Sequence, residues 1–297
     1  MPDKIRAGLV QYETGKAATF DAFVGRVSGF VKRAADEGAE LVVFPEYLCV
    51  DLLPAAIGER KISRADLPAM YAEIDEFYAP FADAMAALAK ARNVWLVAGT
   101  FAHRFPDGAF RNAAQIFGPS GERLEQPKLH VAYELVDNRG MIAPGNRLLI
   151  FDLLGARTAV LVCYDAQFPE TGRAAIADGD VDLFIVPGCA MEEWGIWRLR
   201  TASAARAMES IAFALKVQLA GSIEIPNLVS YRFWARSSAH TPVSRPFAPN
   251  GLLVESTRDG DDLLLADLDV GLLRESRPQC YPSLKDRTIP IAPLIAP

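Results

Sequence analysis

Reactive side chains stand beside apolar runs at three points of the sequence. Glu46 directly follows LVVFP, and Cys163 directly follows AVLV. Lys128 lies between them in the polar segment QPKLHVAYE. A carboxylate at the C-terminal edge of a strand is well placed for a site, and a thiol at a strand-to-helix turn meets oriented N–H dipoles that favour the thiolate. These residue types could supply a base, a cation and a nucleophile.

Each of these residues also has an ordinary structural interpretation when it is taken alone. A glutamate after a strand is usually a solvated loop acid, and a basic loop residue such as Lys128 is usually surface charge. An intracellular cysteine is most often a buried, inert thiol. Cys49, Cys189 and Cys280 fit this inert class better than Cys163, although Cys189 in VPGCAMEEW is also placed to line a pocket. Only the joint pattern distinguishes a site from these alternatives.

The composition limits the kinds of protein that could carry such a site. The chain has 297 residues, a formal net charge of −6 and 51% apolar residues, which suits a folded protein with no general attraction to nucleic acid. No apolar run approaches the roughly 20 residues that cross a bilayer, and the N-terminal segment lacks the apolar core of a secretion signal. The four cysteines form no C-x-x-C pair. The sequence therefore predicts a soluble cytoplasmic protein that binds neither nucleic acid nor a membrane.

Strand and helix patterns alternate along the chain and frame the three segments. Helical spacing covers 20–34, 70–88 and 197–210, and hairpins are indicated at 113–117 with the turn GPSGE and on both sides of Gly155. Strands are predicted at 5–11, 40–44, 94–99, 182–186, 211–220, 252–255 and 263–267. Because the hairpins interrupt the βα alternation, we expect mixed sheets, and two of them between helix layers would hold these strands in one domain. Proline-rich sequence after Arg274 predicts a surface arm.

Taken together, the three segments resemble the nitrilase superfamily of carbon–nitrogen hydrolases. The motifs F-P-E, K-x-H and C-Y-D-x-x-F-P-E occur in the family's order, with Glu46 and Lys128 separated by 82 positions and Lys128 and Cys163 by 35. The resemblance covers nearly the whole chain. It includes the opening strand with Gln11, the Pro144-Gly145 turn, the strand VDLFIVPG, the A-R-A-x-E run and the segment SSAHTPVSRPFAPNGLLVES.

The resemblance implies an α/β fold, specifically a four-layer αββα sandwich with two mixed β-sheets. Residues 1–275 would form the carbon–nitrogen hydrolase domain and residues 276–297 a Pro-rich C-terminal arm. It also implies that subunits pair through helices as a homodimer or higher homo-oligomer, and that the site uses neither a metal nor an organic cofactor. By position, Glu46 is the general base, Lys128 the cationic stabiliser and Cys163 the nucleophile.

Further site residues follow from the same resemblance. Many family members carry a second glutamate after the lysine, which positions the substrate and helps to move protons. We assign it to Glu134, whereas counting back from Pro144-Gly145 gives Asn138, and both assignments stay open. The residues that we expect to line the substrate are Tyr47, Tyr164, Cys189, Met191 and Trp194.

The chemistry of the residue types agrees with these roles. A thiol with an ordinary pKa of about 8.5 is mostly protonated at neutral pH, so it needs a base, a cation or both. Glu46 can take the proton and later activate water. Lys128 and a backbone N–H, which we assign to Tyr164, can stabilise the oxyanion. A thioester intermediate would divide one difficult hydrolysis into two easier steps.

Neighbouring polar residues have structural interpretations that we prefer. His130 could suggest a Cys–His dyad, but we expect it to be a structural hydrogen-bonder. Asp165 and Glu170 are expected to cap the following helix or to bond neighbouring backbone. Arg206 and Glu209 have the spacing of an ion pair on one helix face.

The leading functional hypothesis is hydrolysis of a small carboxamide, with release of ammonia or an amine. Nitrile-cleaving members typically have C-W-E, whereas this chain has Cys163-Tyr164-Asp165. Hydrolysis of a ureido (N-carbamoyl) group or a nitrile stays an alternative. Outside enzymology, the chain could be a catalytically silent binding or scaffold protein of this fold, which the complete triad disfavours. A redox sensor is a third possibility and would need a resolving thiol such as Cys189 near Cys163.

Overall fold

The computed structural model describes residues 4–58, 67–132, 141–225 and 229–282. Within these ranges the strands are β1 Lys4–Thr14, β2 Leu41–Val43, β3 Trp95–Arg104, β4 Phe110–Phe117, β5 Arg123–Pro127, β6 Ile150–Leu153, β7 Ala156–Val160, β8 Leu183–Cys189, β9 Phe213–Ile225, β10 Val229–Phe233, β11 Ser238–His240, β12 Leu252–Glu255 and β13 Asp262–Asp269. The helices are α1 Phe20–Asp36, α2 Leu53–Ile57, α3 Leu67–Asp75, α4 Tyr78–Arg92, α5 Pro169–Ala175, α6 Glu193–Ser210 and α7 Val270–Ser276. Short 3-10 helices cover Leu48–Leu52, Cys163–Gln167 and Arg277–Gln279.

The strands form two mixed halves that are joined through β1. The first has the order β5-β4-β3-β2-β1-β13, with β1, β2 and β3 parallel and the other pairs antiparallel. The second has β6, β7, β8 and β9 in order, with β10, β11 and β12 on the far side of β9. β1 pairs with β2 in its middle and with β9 at its end, where Tyr12 lies opposite Leu219.

Side chains of β1 point alternately to its two faces, and their contacts show how the layers pack. Ala7 and Leu9 lie in a core cluster that also contains Ala159 of β7 and Leu215 of β9, so this face meets the second sheet. Val10 lies in a second cluster with side chains from α1 and α4, so the opposite face is covered by helices. On the other side of the molecule, α6 packs on β8 and β9. The order is therefore helices, sheet, sheet, helices, and the predicted αββα sandwich with two mixed sheets is confirmed.

The predicted hairpins are confirmed as β4–β5 and β6–β7, but the single helix predicted over 70–88 is wrong. The chain forms α3 and α4 instead, with a break at residues 76–77. Pro80 explains the break, since proline is tolerated in a first turn but clashes with the carbonyl four residues earlier in a helix interior. Apolar residues keep their helical spacing across the break, so periodicity alone does not reveal it.

The hairpin β9–β10 is absent from the predicted elements. Its first strand continues to Ile225, beyond the predicted end at residue 220. Gly221 explains the early end of the prediction, because glycine in a strand pattern is normally a breaker. Here it adopts a φ of 91° and lets β9 approach β1, where a Cβ would stand 2.7 Å from the Thr14 oxygen.

The C-terminal end of the described chain packs against the body through Asp182. This buried carboxylate accepts from Arg274 of α7 at 2.6 Å and lies 2.9 Å from a guanidinium nitrogen of Arg277. The boundary between 1–275 and the arm 276–297 stays a prediction, and 283–297 lie outside the described residues. Within the ranges given above, no helix combines the length and apolar character that a membrane span requires.

Candidate active site

Glu46 lies in the loop that leaves β2, and β3 shapes this loop. Gly99 adopts a φ of 65°, and a Cβ at this position would stand 2.1 Å from the Pro45 carbonyl oxygen. Only glycine permits so close an approach of two backbones. The next residue, Thr100, accepts a hydrogen bond from the Tyr47 N–H at 2.7 Å, and Tyr47 itself is left-handed with a φ of 57°. The loop is therefore held on both sides of Glu46.

The Glu46 carboxylate is fully buried and bonded to two nitrogen donors. Its Oε1 accepts from Lys128 Nζ at 2.7 Å and from Asn112 Nδ2 at 2.9 Å. The Lys128 side chain is only 3% exposed. Its backbone is fixed as well, because its N–H donates to the Asn112 carbonyl at 2.8 Å and its carbonyl accepts from the Gly145 N–H at 2.7 Å. The structure thus brings a carboxylate and an ammonium group together where water is excluded, which strengthens their interaction.

Cys163 stands at the first position of a 3-10 helix that follows β7. Its φ of 49° is left-handed, a conformation that a non-glycine residue adopts at some energetic cost and that is concentrated at functional sites. The residue is 4% exposed, and its Sγ donates to the Cys189 carbonyl at 3.5 Å.

His130 and Asp165 link the Lys128 segment to the Cys163 turn. The His130 Nδ1 lies 3.0 Å from Asp165 Oδ1, and its ring stacks on Phe168 at 4.0 Å between centroids. The expectation that His130 is a structural hydrogen-bonder agrees with this geometry. Burial raises the pKa of Asp165, and the backbone N–H groups around it together with the charge of Lys128 oppose that rise.

Three polar residues that shape this site were missed by the sequence analysis. Asn112 bonds Glu46, and Thr100 bonds the loop that carries it. Asp51 anchors the 3-10 helix after Glu46, since its buried carboxylate accepts from the Gly15 N–H at 2.6 Å and from Arg26 at 3.0 Å. Asn and Asp are depleted in apolar runs of this kind, and that contrast is the signal that could have singled out Asn112 in FRNAAQIF.

The predicted substrate-lining residues fall into two groups. Tyr47 and Cys189 are buried beside the site, and Tyr164 is half-buried with its ring against Phe168 at 4.8 Å. Met191 is half-buried. Trp194, in contrast, is 69% exposed and lies on the outer face of α6. The two residues considered for the second glutamate, Glu134 and Asn138, lie outside the described residues.

The Cys49 thiol and the Arg206–Glu209 pair have the structural roles expected of them. Burial raises the pKa of the Cys49 thiol to about 12, so this thiol stays protonated at neutral pH. Arg206 and Glu209 form the expected ion pair at 2.8 Å. Among the described residues, no group of three or more histidine, cysteine, aspartate or glutamate side chains is arranged to hold a metal ion.

Comparison with known proteins identifies a family to which this chain is similar. The sequence pattern of the carbon-nitrogen hydrolase family matches residues 6–278. A probable hydrolase of Bacillus subtilis, YhcX, is 28% identical over 285 residues, which are 95% of this chain and 53% of that protein, so the chain spans about half the length of this relative. An (R)-stereoselective amidase of Pseudomonas is 32% identical over 182 residues, covering 61% of this chain and 60% of the amidase. A solved carbon-nitrogen hydrolase of Helicobacter pylori, 18% identical, superposes with a TM-score of 0.76 over 96% of each chain.

Proposed function

Because the chain belongs to the carbon-nitrogen hydrolase family, we propose that it hydrolyses a non-peptide C–N bond of a small carboxamide. Cys163 is the nucleophile of this proposal, Glu46 the general base and Lys128 the oxyanion stabiliser. The observation that carries it is the buried contact of 2.7 Å between Lys128 Nζ and Glu46 Oε1. A solvated acid and a surface lysine, the ordinary interpretations of these residues, would not be buried together.

The proposed reaction has two steps. In the first, the Cys163 sulfur attacks the amide carbon while Glu46 takes the thiol proton and passes it to the leaving nitrogen, so that the C–N bond breaks and a thioester forms. In the second, Glu46 removes a proton from water as its oxygen attacks the thioester carbon, the C–S bond breaks, and Glu46 returns the proton to the departing sulfur, so that the carboxylic acid and the free thiol are released. Lys128 and the Tyr164 N–H would stabilise the oxyanion of both steps.

The residues around the nucleophile favour an amide over a nitrile. The motif Cys163-Tyr164-Asp165 differs from the C-W-E that the nitrile-cleaving branch typically carries. The amidase of Pseudomonas, which is similar over 61% of the chain, acts on the same general class of bond. A ureido carbonyl presents the same carbon to the thiol and is therefore the first alternative substrate class.

A substrate panel with matched cysteine variants tests this proposal. Ammonia release is measured with amides, ureido acids and nitriles for the unchanged protein and for Cys163→Ala and Cys49→Ala. We expect turnover of at least one amide, its loss in Cys163→Ala and its retention in Cys49→Ala, whose thiol is buried and protonated. Equal loss in both variants would contradict the nucleophile assignment. Intact-mass measurement after mild peroxide separates the redox alternative, since a Cys163–Cys189 disulfide would favour sensing.

For the second glutamate we propose Glu134. Glu134→Gln should then impair proton transfer and substrate orientation, whereas Asn138→Asp should change little. If Asn138 holds the family position, Glu134→Gln becomes a mild surface change and Asn138→Glu raises activity. Ammonia release by the two single variants distinguishes these assignments.

We also propose that the protein is a cytoplasmic homodimer or higher homo-oligomer that takes a small amide and water as its substrates. Trp194, Trp197 and Met208 are exposed at helical spacing on one side of α6, which suits pairing through this helix. The exposure of Trp194 favours this role over the substrate contact predicted for it. Light scattering that gives a particle of 32.4 kDa at micromolar concentration would contradict the assembly.

A further inference from the structure

One buried carboxylate touches both of the segments that carry the cation and the nucleophile. Asp165 Oδ1 accepts from the His130 N–H at 2.7 Å and lies 3.0 Å from the His130 ring nitrogen Nδ1. Asp165 Oδ2 accepts from the Val162 N–H at 3.2 Å. The Leu129 N–H lies 3.1 Å from both oxygens. Both oxygens therefore bind the segment after Lys128, and Oδ2 also caps the turn that begins at Cys163.

The backbone of Asp165 is fixed independently of its side chain. Its N–H donates to the Val162 carbonyl at 3.0 Å, and its carbonyl accepts from the Thr171 hydroxyl at 2.6 Å. The carboxylate is thus rigidly attached to the 3-10 helix of Cys163 and reaches outward to residues that are 35 and 36 positions away in the sequence. The stacking of His130 on Phe168 adds a second contact between the same two segments.

We propose that Asp165 is a positioning residue that sets the placement of Lys128 relative to Cys163. This inference rests on the roles proposed above for those two residues. Lys128 and Cys163 leave different sheets, so the regular strands do not fix their separation. The three backbone N–H groups and the His130 ring nitrogen around Asp165 supply that constraint, and a carboxylate suits it because both of its oxygens accept.

The substitution Asp165→Asn weakens this constraint with almost no change of shape. An amide has one acceptor oxygen, and its NH2 group would face N–H donors, so the variant loses the contact either with the His130 N–H or with the Val162 N–H. Misplacement of a catalytic group by about 1 Å can lower a rate by about 10²-fold. We therefore expect kcat to fall by about 10–100-fold, with KM retained, because ground-state binding does not depend on the oxyanion contact.

The test combines kinetics with labelling of the thiol. kcat and KM are measured for the unchanged protein, Asp165→Asn and the control Glu170→Gln, which alters an exposed acid of the same segment. In parallel, iodoacetamide alkylation of the Cys163 peptide is followed against pH. We expect the Asp165→Asn profile to move to higher pH, since the placement of the Lys128 charge relative to the thiol, which this inference assigns to Asp165, would be lost. Glu170→Gln should change neither readout.

A purely structural role is distinguished by normalising to the folded fraction. If Asp165→Asn only destabilises the fold, kcat per folded molecule and the alkylation profile both stay at the unchanged values, and the proposal is wrong. Should this variant not fold, His130→Phe keeps the ring stacked on Phe168 and removes only the Nδ1 contact. His130→Phe should shift the alkylation profile to higher pH, by a smaller amount than Asp165→Asn. An unchanged profile in His130→Phe overturns the proposal. Alkylation needs no substrate, so failure to find a hydrolysed amide would refute the proposed function without deciding this inference.

Discussion

Lys128 and Lys216 are both buried, and they differ in what surrounds the ammonium group. Lys128 Nζ lies 2.7 Å from a Glu46 oxygen, at the point where the chain leaves β5. Lys216 lies inside β9, fully buried, and within the described part of the chain its Nζ has no hydrogen-bond partner. Glu255, whose negative charge acts on Lys216, is instead bonded to Arg200 of α6 at 2.6 Å.

The free-energy cost of burying a positive charge is therefore offset differently at the two lysines. A carboxylate compensates the charge of Lys128, so both charges can persist where a reaction needs them. Burial instead lowers the pKa of Lys216 to about 7, a shift that the charge of Glu255 opposes and those of Arg200 and Arg236 reinforce. A displaced pKa alone is thus not a sign of function, because burial displaces the pKa of a lysine outside the proposed site as well.

The largest effect that we expect is the loss of catalysis when Lys128, but not Lys216, is replaced. Lys128→Met should lower kcat by about 10²–10³ because an oxyanion stabiliser acts mainly in the transition state. The variant should also lose about 3–5 kcal/mol of unfolding free energy, since the buried charge of Glu46 would lose its ion pair with Lys128. Steady-state kinetics and urea unfolding measure the two losses. An unchanged kcat with only a raised KM would contradict the role of Lys128.

The same substitution at the other lysine should have the opposite effect on stability. Lys216→Met fills the space with an apolar chain of similar length and removes a buried polar group without a partner, which costs about 1–3 kcal/mol in other proteins. We expect the free energy of unfolding to rise by up to that amount while kcat stays unchanged. The urea midpoint measures the gain. A loss of stability would mean that Lys216 makes a favourable contact.

The contrast between these lysines also shows which features of the site can be predicted from the sequence and which cannot. Short local motifs are enough to predict Glu46, Lys128 and Cys163 as a group, since each motif lies within a few residues, and the structure places the first two in contact. The contact between Glu46 and Asn112 spans 66 positions, and no local pattern contains it. Lys216 stands in FALKVQL, where strand alternation predicts an outward side chain, but α6 packs over this strand and buries it. Tertiary packing, not propensity, decides that outcome.

The same distinction applies to the fold: features set by neighbouring residues are predictable from the sequence, and features set by distant residues are not. Period-two runs and turn residues predict the hairpins β4–β5 and β6–β7, because pattern and turn are both local. The break between α3 and α4 depends on a single ring at Pro80, which leaves the apolar spacing intact. The left-handed Gly221 lets β9 pass close to β1, and this tolerance is visible only once β1 is placed beside it.

The pH dependence of stability gives a further test of the difference between Lys128 and Lys216. An unfolded lysine keeps its proton up to about pH 10.5, whereas folded Lys216 loses it near 7. Between these values the unfolded state binds the extra proton, so this group makes the free energy of unfolding rise as pH rises. The stability advantage of Lys216→Met should be largest at or below pH 7 and shrink by about pH 9.5. Urea unfolding of both proteins across this range tests it, and a constant difference would show that Lys216 stays charged.

The smallest effect concerns His240, whose Nε2 lies 2.9 Å from the Ser238 hydroxyl. Burial lowers the pKa of His240 to about 4, and the positive charge of Lys216 adds to this shift. At the pH where His240 titrates, Lys216 is protonated, so its removal in Lys216→Met takes away one repulsive charge. The pKa of His240 should therefore rise in the variant, yet stay below its ordinary value because the burial remains. Proton NMR titration of the imidazole measures this change. An unchanged pKa would mean that Arg200 and burial alone set it, and that the charges around β9 do not act as one cluster.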